Sequence, residues 1–208
     1  VILALLFAAN FVAPALAQPG LWHGREVAVS NGEKVLVLME KSRLHCELEE
    51  QRVHVAPAKD VTDMEGQKNG KKVSLPHEHG WVAIIARVPG LLPGEVETVD
   101  VTTQDRSTPE SPVTLTFHGV TWRIGLNGND LVASDGKQKQ ILAHNIDKEG
   151  MPRWDLFWSG DMDHDGKLDL LYEIRGDNFS GADLALSSAA KRKGELMRVV
   201  ASETHFGC

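Results

Sequence analysis

Beyond the first seventeen residues the chain alternates apolar and polar positions with a period of two, and its longest apolar runs are too rich in Val, Ile, Leu and Thr for amphipathic helices. The pattern predicts strands. Asn31-Gly32 is a turn signal that parts a strand over 26–30 from one over 34–40. Residues 43–48 and 51–55 have the mixed polarity of strands that face water on one side, and the polar stretch 64–72, with Gly66, Asn69 and Gly70, reads as a loop. Segment 81–88 is the most continuously apolar and is expected at the centre of a sheet; Pro89-Gly90 and Pro93-Gly94 end it and lead into clean alternation over 95–102.

Residues 105–112 carry two prolines among Ser and Thr, which makes this stretch a connector and the candidate internal boundary. Runs over 113–118, 121–126, 130–134 and 138–143 follow, separated by Gly119, Asn127-Gly128 and Asp135-Gly136, the spacing of an antiparallel meander. Two further strands alternate over 153–158 and 168–174. Trp154, Leu156 and Trp158 share one face of the first, and Leu168, Leu170, Tyr172 and Ile174 one face of the second. The expected fold is all-β, an antiparallel sandwich or barrel-like meander with a C-terminal hairpin. It is read as a single domain over 18–208 in which 153–208 is an appended unit. No repeat of fixed period points to a solenoid or propeller.

The chemistry concentrates between the last two strands, where the chain reads Gly160-Asp161-Met162-Asp163-His164-Asp165-Gly166-Lys167-Leu168-Asp169-Leu170-Leu171. Carboxylates stand at relative positions 1, 3, 5 and 9, and a glycine at 6. Hard oxygen donors at this density suit Ca²⁺. Alternate side chains of a tight loop point inward, Gly166 permits the bend, and Lys167 is expected to lend its backbone carbonyl. Magnesium fits less well, since it prefers few protein carboxylates and keeps several waters. An EF-hand opens in the same way but needs a bidentate Glu at position 12, where this chain has Tyr172, with Glu173 one place late. The flanks also read as strands and not as helices. A metal loop between strands, running straight into Asp-Leu-Leu, resembles the calcium loop of FG-GAP/VCBS-type repeats over about 20 residues. The resemblance implies that Asp161, Asp163, Asp165 and Asp169 bind calcium; with one copy present, it does not imply a propeller. With every acid of the loop used as a ligand, the ion is expected to staple structure and not to act in catalysis.

The first residues change where this domain is expected to work. Residues 1–17 are uncharged and apolar but too short to span a membrane, and Ala15-Leu16-Ala17 sets small residues at the −3 and −1 positions of a signal-peptidase site. The mature chain is expected to begin at Gln18 and to be secreted or periplasmic, with no transmembrane segment. In that setting Cys46 and Cys208 are expected to form a disulfide, removing on the order of 5 kcal/mol of unfolded-state entropy; two free thiols are the alternative. A net charge of −7 argues against nucleic acid as a partner. The one tight basic run, Lys191-Arg192-Lys193, reads as a solvated turn.

Other signals carry less. His77-Glu78-His79 could hold a second metal but shows no third ligand. His45 beside Cys46 is not a catalytic pair, and no nucleophile elbow, zinc-protease motif or phosphate-binding glycine loop is present, so no catalytic residue is assigned. Arg175-Gly176-Asp177 spells an adhesion tripeptide and Asn178-Phe179-Ser180 a glycosylation sequon, both short enough to arise by chance. The function expected is that of an exported calcium-binding β-domain with a structural or binding role, its partners being calcium and a protein or carbohydrate. A secreted hydrolase with an unrecognised site, and a carbohydrate-binding module using exposed members of the five tryptophans, stay open.

Overall fold

A strand that is apolar on both faces has to be covered on both sides, and this requirement accounts for the layering of the protein. The computed structural model describes residues 19–22, 30–42, 44–57, 71–76, 80–99, 111–144, 146 and 152–206. Among them are fifteen strands and no helix: β1 (Gly20–Trp22), β2 (Lys34–Ser42), β3 (His45–Arg52), β4 (His54–Pro57), β5 (Lys71–Ser74), β6 (Trp81–Ala86), β7 (Gly94–Thr98), β8 (Val113–Phe117), β9 (Val120–Asn127), β10 (Asp130–Ser134), β11 (Lys139–Ala143), β12 (Arg153–Asp161), β13 (Asp169–Arg175), β14 (Phe179–Leu186) and β15 (Arg198–Phe206). The fold is all-β, as the alternation predicts.

Nine strands form one antiparallel sheet in the order β1-β6-β2-β3-β7-β12-β13-β14-β15. Its first strand lies against its last, so the sheet is nearly closed into a barrel. The interior is a single apolar core to which every strand contributes. Leu21, Ile85, Leu38, Leu48 and Val96 come from the half that ends at β7, and Trp158, Leu171, Leu184 and Ala201 from β12–β15. Two smaller sheets cover the outside. The meander β8–β11, in the order β11-β10-β9-β8, sets Val113, Leu115, Trp122 and Ile124 onto Trp154, Leu156, Leu170 and Tyr172 of β12 and β13. Val53 and Leu75, flanking the β4–β5 hairpin, cover Val35, Val37 and Ile84. Segment 81–88 thus owes its unbroken apolar run to its place between two cores, Ile85 facing the barrel interior and Ile84 the outer layer.

Several elements differ from the sequence expectation, each for a local reason. Trp158 does not share a face with Trp154 and Leu156. A bulge shifts the β12–β13 register between Leu156 and Trp158, and one extra residue turns Trp158 from the outer core into the barrel. The runs 43–48 and 51–55 are not parted where expected, because β3 continues through Glu49 and Glu50, which pair with Lys41 and Lys34 across β2. Lys71 and Lys72, expected in a loop, begin β5. Strands β14 and β15 were not signalled at all, Gly181 and the small residues of 179–186 giving no clear alternation. The Asn31-Gly32 turn is present, Gly32 adopting a φ of 79° and donating its N–H to Val53 O at 2.8 Å. Residues 26–29 of the other strand of that hairpin, the 1–17 segment, most of the 64–72 loop, residues 77–79, residues 105–110 and Cys208 lie outside the described residues.

Gly160 has no room for a side chain. It pairs with Thr98 of β7 and Asp169 of β13, and a Cβ there would stand 1.8 Å from the Glu97 carbonyl oxygen and 2.7 Å from the Trp158 ring. Gly160→Ala is expected to destabilise the protein by about 3 kcal/mol through overpacking. The reading is the midpoint of urea unfolding; an unchanged midpoint would contradict the β7–β12 packing.

Candidate metal centre

The acidic loop joins β12 to β13 and is pinned at both ends from below. Met162 and Leu168 are fully buried, Met162 in the barrel interior and Leu168 in the outer core, while His164, Gly166 and Lys167 are exposed. Its bend uses left-handed backbone at His164 (φ 61°) and Gly166 (φ 79°). Nothing lies within 4 Å of a Cβ placed on Gly166, so the glycine serves the conformation and not a close approach.

The carboxylates organise this loop. Asp161 accepts the Asp165 N–H on Oδ1 at 3.0 Å and the Gly166 N–H on Oδ2 at 2.9 Å, which curls the chain over it. Asp169, fully buried, accepts the Met162 N–H on Oδ2 at 2.9 Å and the Ser187 N–H on Oδ1 at 2.8 Å. Asp163 accepts the Ser188 hydroxyl on Oδ2, while its Oδ1 is buried without a hydrogen-bond partner. One oxygen from each of Asp161, Asp163 and Asp169 lies within 4.8 Å of the other two. Asp165 stands beside this trio, its oxygens 3.0 and 2.9 Å from the Ser187 hydroxyl and one of them accepting the Lys167 N–H at 2.9 Å. Lys167 donates to Asp165 from its ammonium as well, at 3.4 Å. Of the five residues singled out in the sequence, the structure therefore gathers three acids at one point and places Asp165 and Lys167 beside them.

No Lys or Arg among the described residues pairs with Asp161, Asp163 or Asp169. Two like charges at this separation repel by about 3 kcal/mol at an effective dielectric constant near 20. Burial, reinforced by the charges of Asp163 and Asp165, pushes Asp169 up to about 7 against the pull of its two N–H donors. The donor set is all oxygen and anionic, which suits a hard divalent cation. Tyr172, at the position where an EF-hand carries its bidentate Glu, is buried in the outer core, and Glu173 pairs with Arg175.

Sequence reasoning missed the residues that close the site from elsewhere in the chain. Ser187 and Ser188 follow β14, far from the loop in sequence, and no local spacing marks them. His118, at the tip of the β8–β9 turn with a φ of 45°, bridges the loop to the barrel. Its Nδ1 lies 3.1 Å from Gly166 O and its Nε2 2.9 Å from Glu97 Oε1. The neighbouring Phe117 ring stacks on it at 4.0 Å.

Other sequence candidates fall elsewhere. Cys46 is a free thiol deep in the barrel, its pKa pushed up by burial, and no disulfide is present among the described residues. The expected partner, Cys208, lies outside them, as do His77 and His79. Trp122, Trp154 and Trp158 are buried and form no exposed aromatic strip. No helix of the described residues is long and apolar enough to cross a membrane. No family model, no curated protein and no solved structure matches the chain.

Both ring nitrogens of His118 face acceptors, so the doubly protonated ring satisfies both. The Glu97 carboxylate first, and then the Gly166 carbonyl, raise its pKa above the usual 6.5. A raised pKa means that the clamp contributes fully below the unfolded value and is lost as pH rises through the folded one. In an NMR titration the His118 midpoint is expected to lie above 6.5, and Glu97→Gln is expected to bring it back towards that value. A midpoint indifferent to Glu97 would contradict the bridge.

Proposed function

We propose that the chain is an exported calcium-binding β-domain in which the ion at the 161–169 loop staples the β12–β13 hairpin to the segment after β14. The supporting observation is the meeting of Asp161, Asp163 and Asp169 within 4.8 Å, with two of the three acids buried, one Asp163 oxygen unpartnered and no cationic side chain among the described residues to neutralise them. Leaving such a cluster uncompensated is costly, and a divalent cation removes the repulsion while using the unpartnered oxygen. Asp165 is assigned as a further ligand on the resemblance to FG-GAP/VCBS-type loops, and the Lys167 carbonyl on the spacing of a tight calcium loop. The role is read as structural because the loop is held among backbone N–H groups and serine hydroxyls, and none of its acids is left over to serve as a general acid or base.

Calorimetry with purified protein is expected to show Ca²⁺ binding. Ca²⁺ at about a hundred times its dissociation constant adds about 2.7 kcal/mol, so the melting temperature is expected to rise by roughly 5–10 °C over that in EDTA. Asp161→Asn and Asp163→Asn are each expected to weaken the ion at least tenfold, whereas Asp155→Asn, on the same hairpin but away from the loop, leaves it unchanged. Absence of both binding heat and thermal shift would end the calcium reading.

A further inference from the structure

A cleft of about 570 Å³ lies between the β8–β9 hairpin and the segment that follows β14, on the outer side of the acidic loop. Its volume is that of a small-molecule site. Phe117, Trp122, Leu168 and Leu196 give it an apolar and aromatic floor, and Val120 stands half-exposed at its edge. Its mouth carries Lys191, Arg192 and Lys193, all exposed, and none forms an ion pair among the described residues. In a chain of net charge −7, three adjacent cations without acidic partners are a local reversal of sign.

This basic turn is built and not merely solvated. Glu195 Oε2 accepts the N–H groups of Lys191 at 2.7 Å and Arg192 at 2.9 Å, and both Glu195 oxygens are gripped by the Arg198 guanidinium at 2.9 and 2.8 Å. Arg198 first, then the two N–H donors, hold the Glu195 carboxyl down at about 2. Gln140 of β11 fastens the next residues, its Oε1 accepting from Leu196 N–H at 2.6 Å and Met197 N–H at 3.1 Å. The other acid lining the cleft, Asp135, is engaged by the N–H groups of Lys137 and Gln138. Both acids at the cleft are thus committed to backbone, while the cations are not.

We propose that this cleft binds a small anionic molecule whose charged group meets Lys191, Arg192 and Lys193 and whose apolar ring lies over Phe117 and Trp122. A half-open cleft of this size beside a single turn of charge favours a small ligand over a polyanion, which needs a longer basic track. The cleft adjoins the acidic loop, whose Gly166 and Lys167 line it together with Ser187 and Ser188, but the three cations of the proposal pair with none of the acidic trio among the described residues.

The test is a ¹⁵N NMR titration of the full chain with phenyl phosphate, inorganic phosphate and benzyl alcohol as separate probes. Phenyl phosphate is expected to shift the Trp122 indole N–H and the amides of 188–193, binding at least tenfold more tightly than either of the other two. The triple variant Lys191→Gln, Arg192→Gln and Lys193→Gln is expected to lose at least tenfold in phenyl phosphate affinity. Its melting temperature should not change, because those side chains hold nothing in the fold. Equal binding of inorganic phosphate, equal binding of benzyl alcohol, an unaffected triple variant or no shift at Trp122 would each overturn the proposal.

Discussion

The nine-stranded sheet is continuous through its middle only because β12 reaches β7, and it does so through two residue pairs, Gly160 with Thr98 and Asp161 with Glu97. Everything on one side of this seam comes from the first half of the chain and everything on the other from the second. A short additional bond from Val99 N–H to Ser159 O, and the Trp158 indole donating to the Thr98 hydroxyl at 3.1 Å, complete the join. The missing side chain at Gly160 permits the close approach. The next residue is the first carboxylate of the acidic loop. The seam and the acidic loop are therefore one unit, and His118, held between Glu97 and Gly166, spans both.

This coupling gives the cluster of acids a place in the energetics of the fold. Asp169 begins β13, Asp161 ends β12, and each is satisfied mostly by backbone N–H groups of the loop or of Ser187. Such donors hold a carboxylate in position but do not cancel its charge. The proposed cation would act where the two halves of the barrel meet, so its effect on stability would be felt by the whole sheet and not by one hairpin.

The sequence announced the strands most clearly where one face is wet, as in the β8–β11 meander, whose boundaries differ from the alternation by a residue or so. It also announced the loop, because the acids of 161–169 are neighbours in the chain. What it could not announce depends on distance and on register. The flip of Trp158 follows from one bulged residue that alternation cannot reveal. Ser187, Ser188 and His118 join the site from other strands and turns, and Asp165 faces Ser187 because of that tertiary contact. Lys191-Arg192-Lys193 reads as an ordinary solvated turn until Glu195, Arg198 and Gln140 are seen to fix the segment that bears it beside an aromatic cleft.

The approach of β1 to β15 also bears on how this molecule meets other copies of itself. A row of open amide and carbonyl groups along a long edge strand is a template for another chain, and rolling nine strands nearly shut brings the three residues of β1 against part of the nine-residue β15. Among the described residues the edges of the smaller sheets belong to β4, β5, β8 and β11, none longer than five residues, so the longest edge is the stretch of β15 that β1 does not reach. Strand-by-strand growth into fibres therefore finds short footholds on the outer sheets and one longer template, the open part of β15, on a fold that is otherwise almost wholly β.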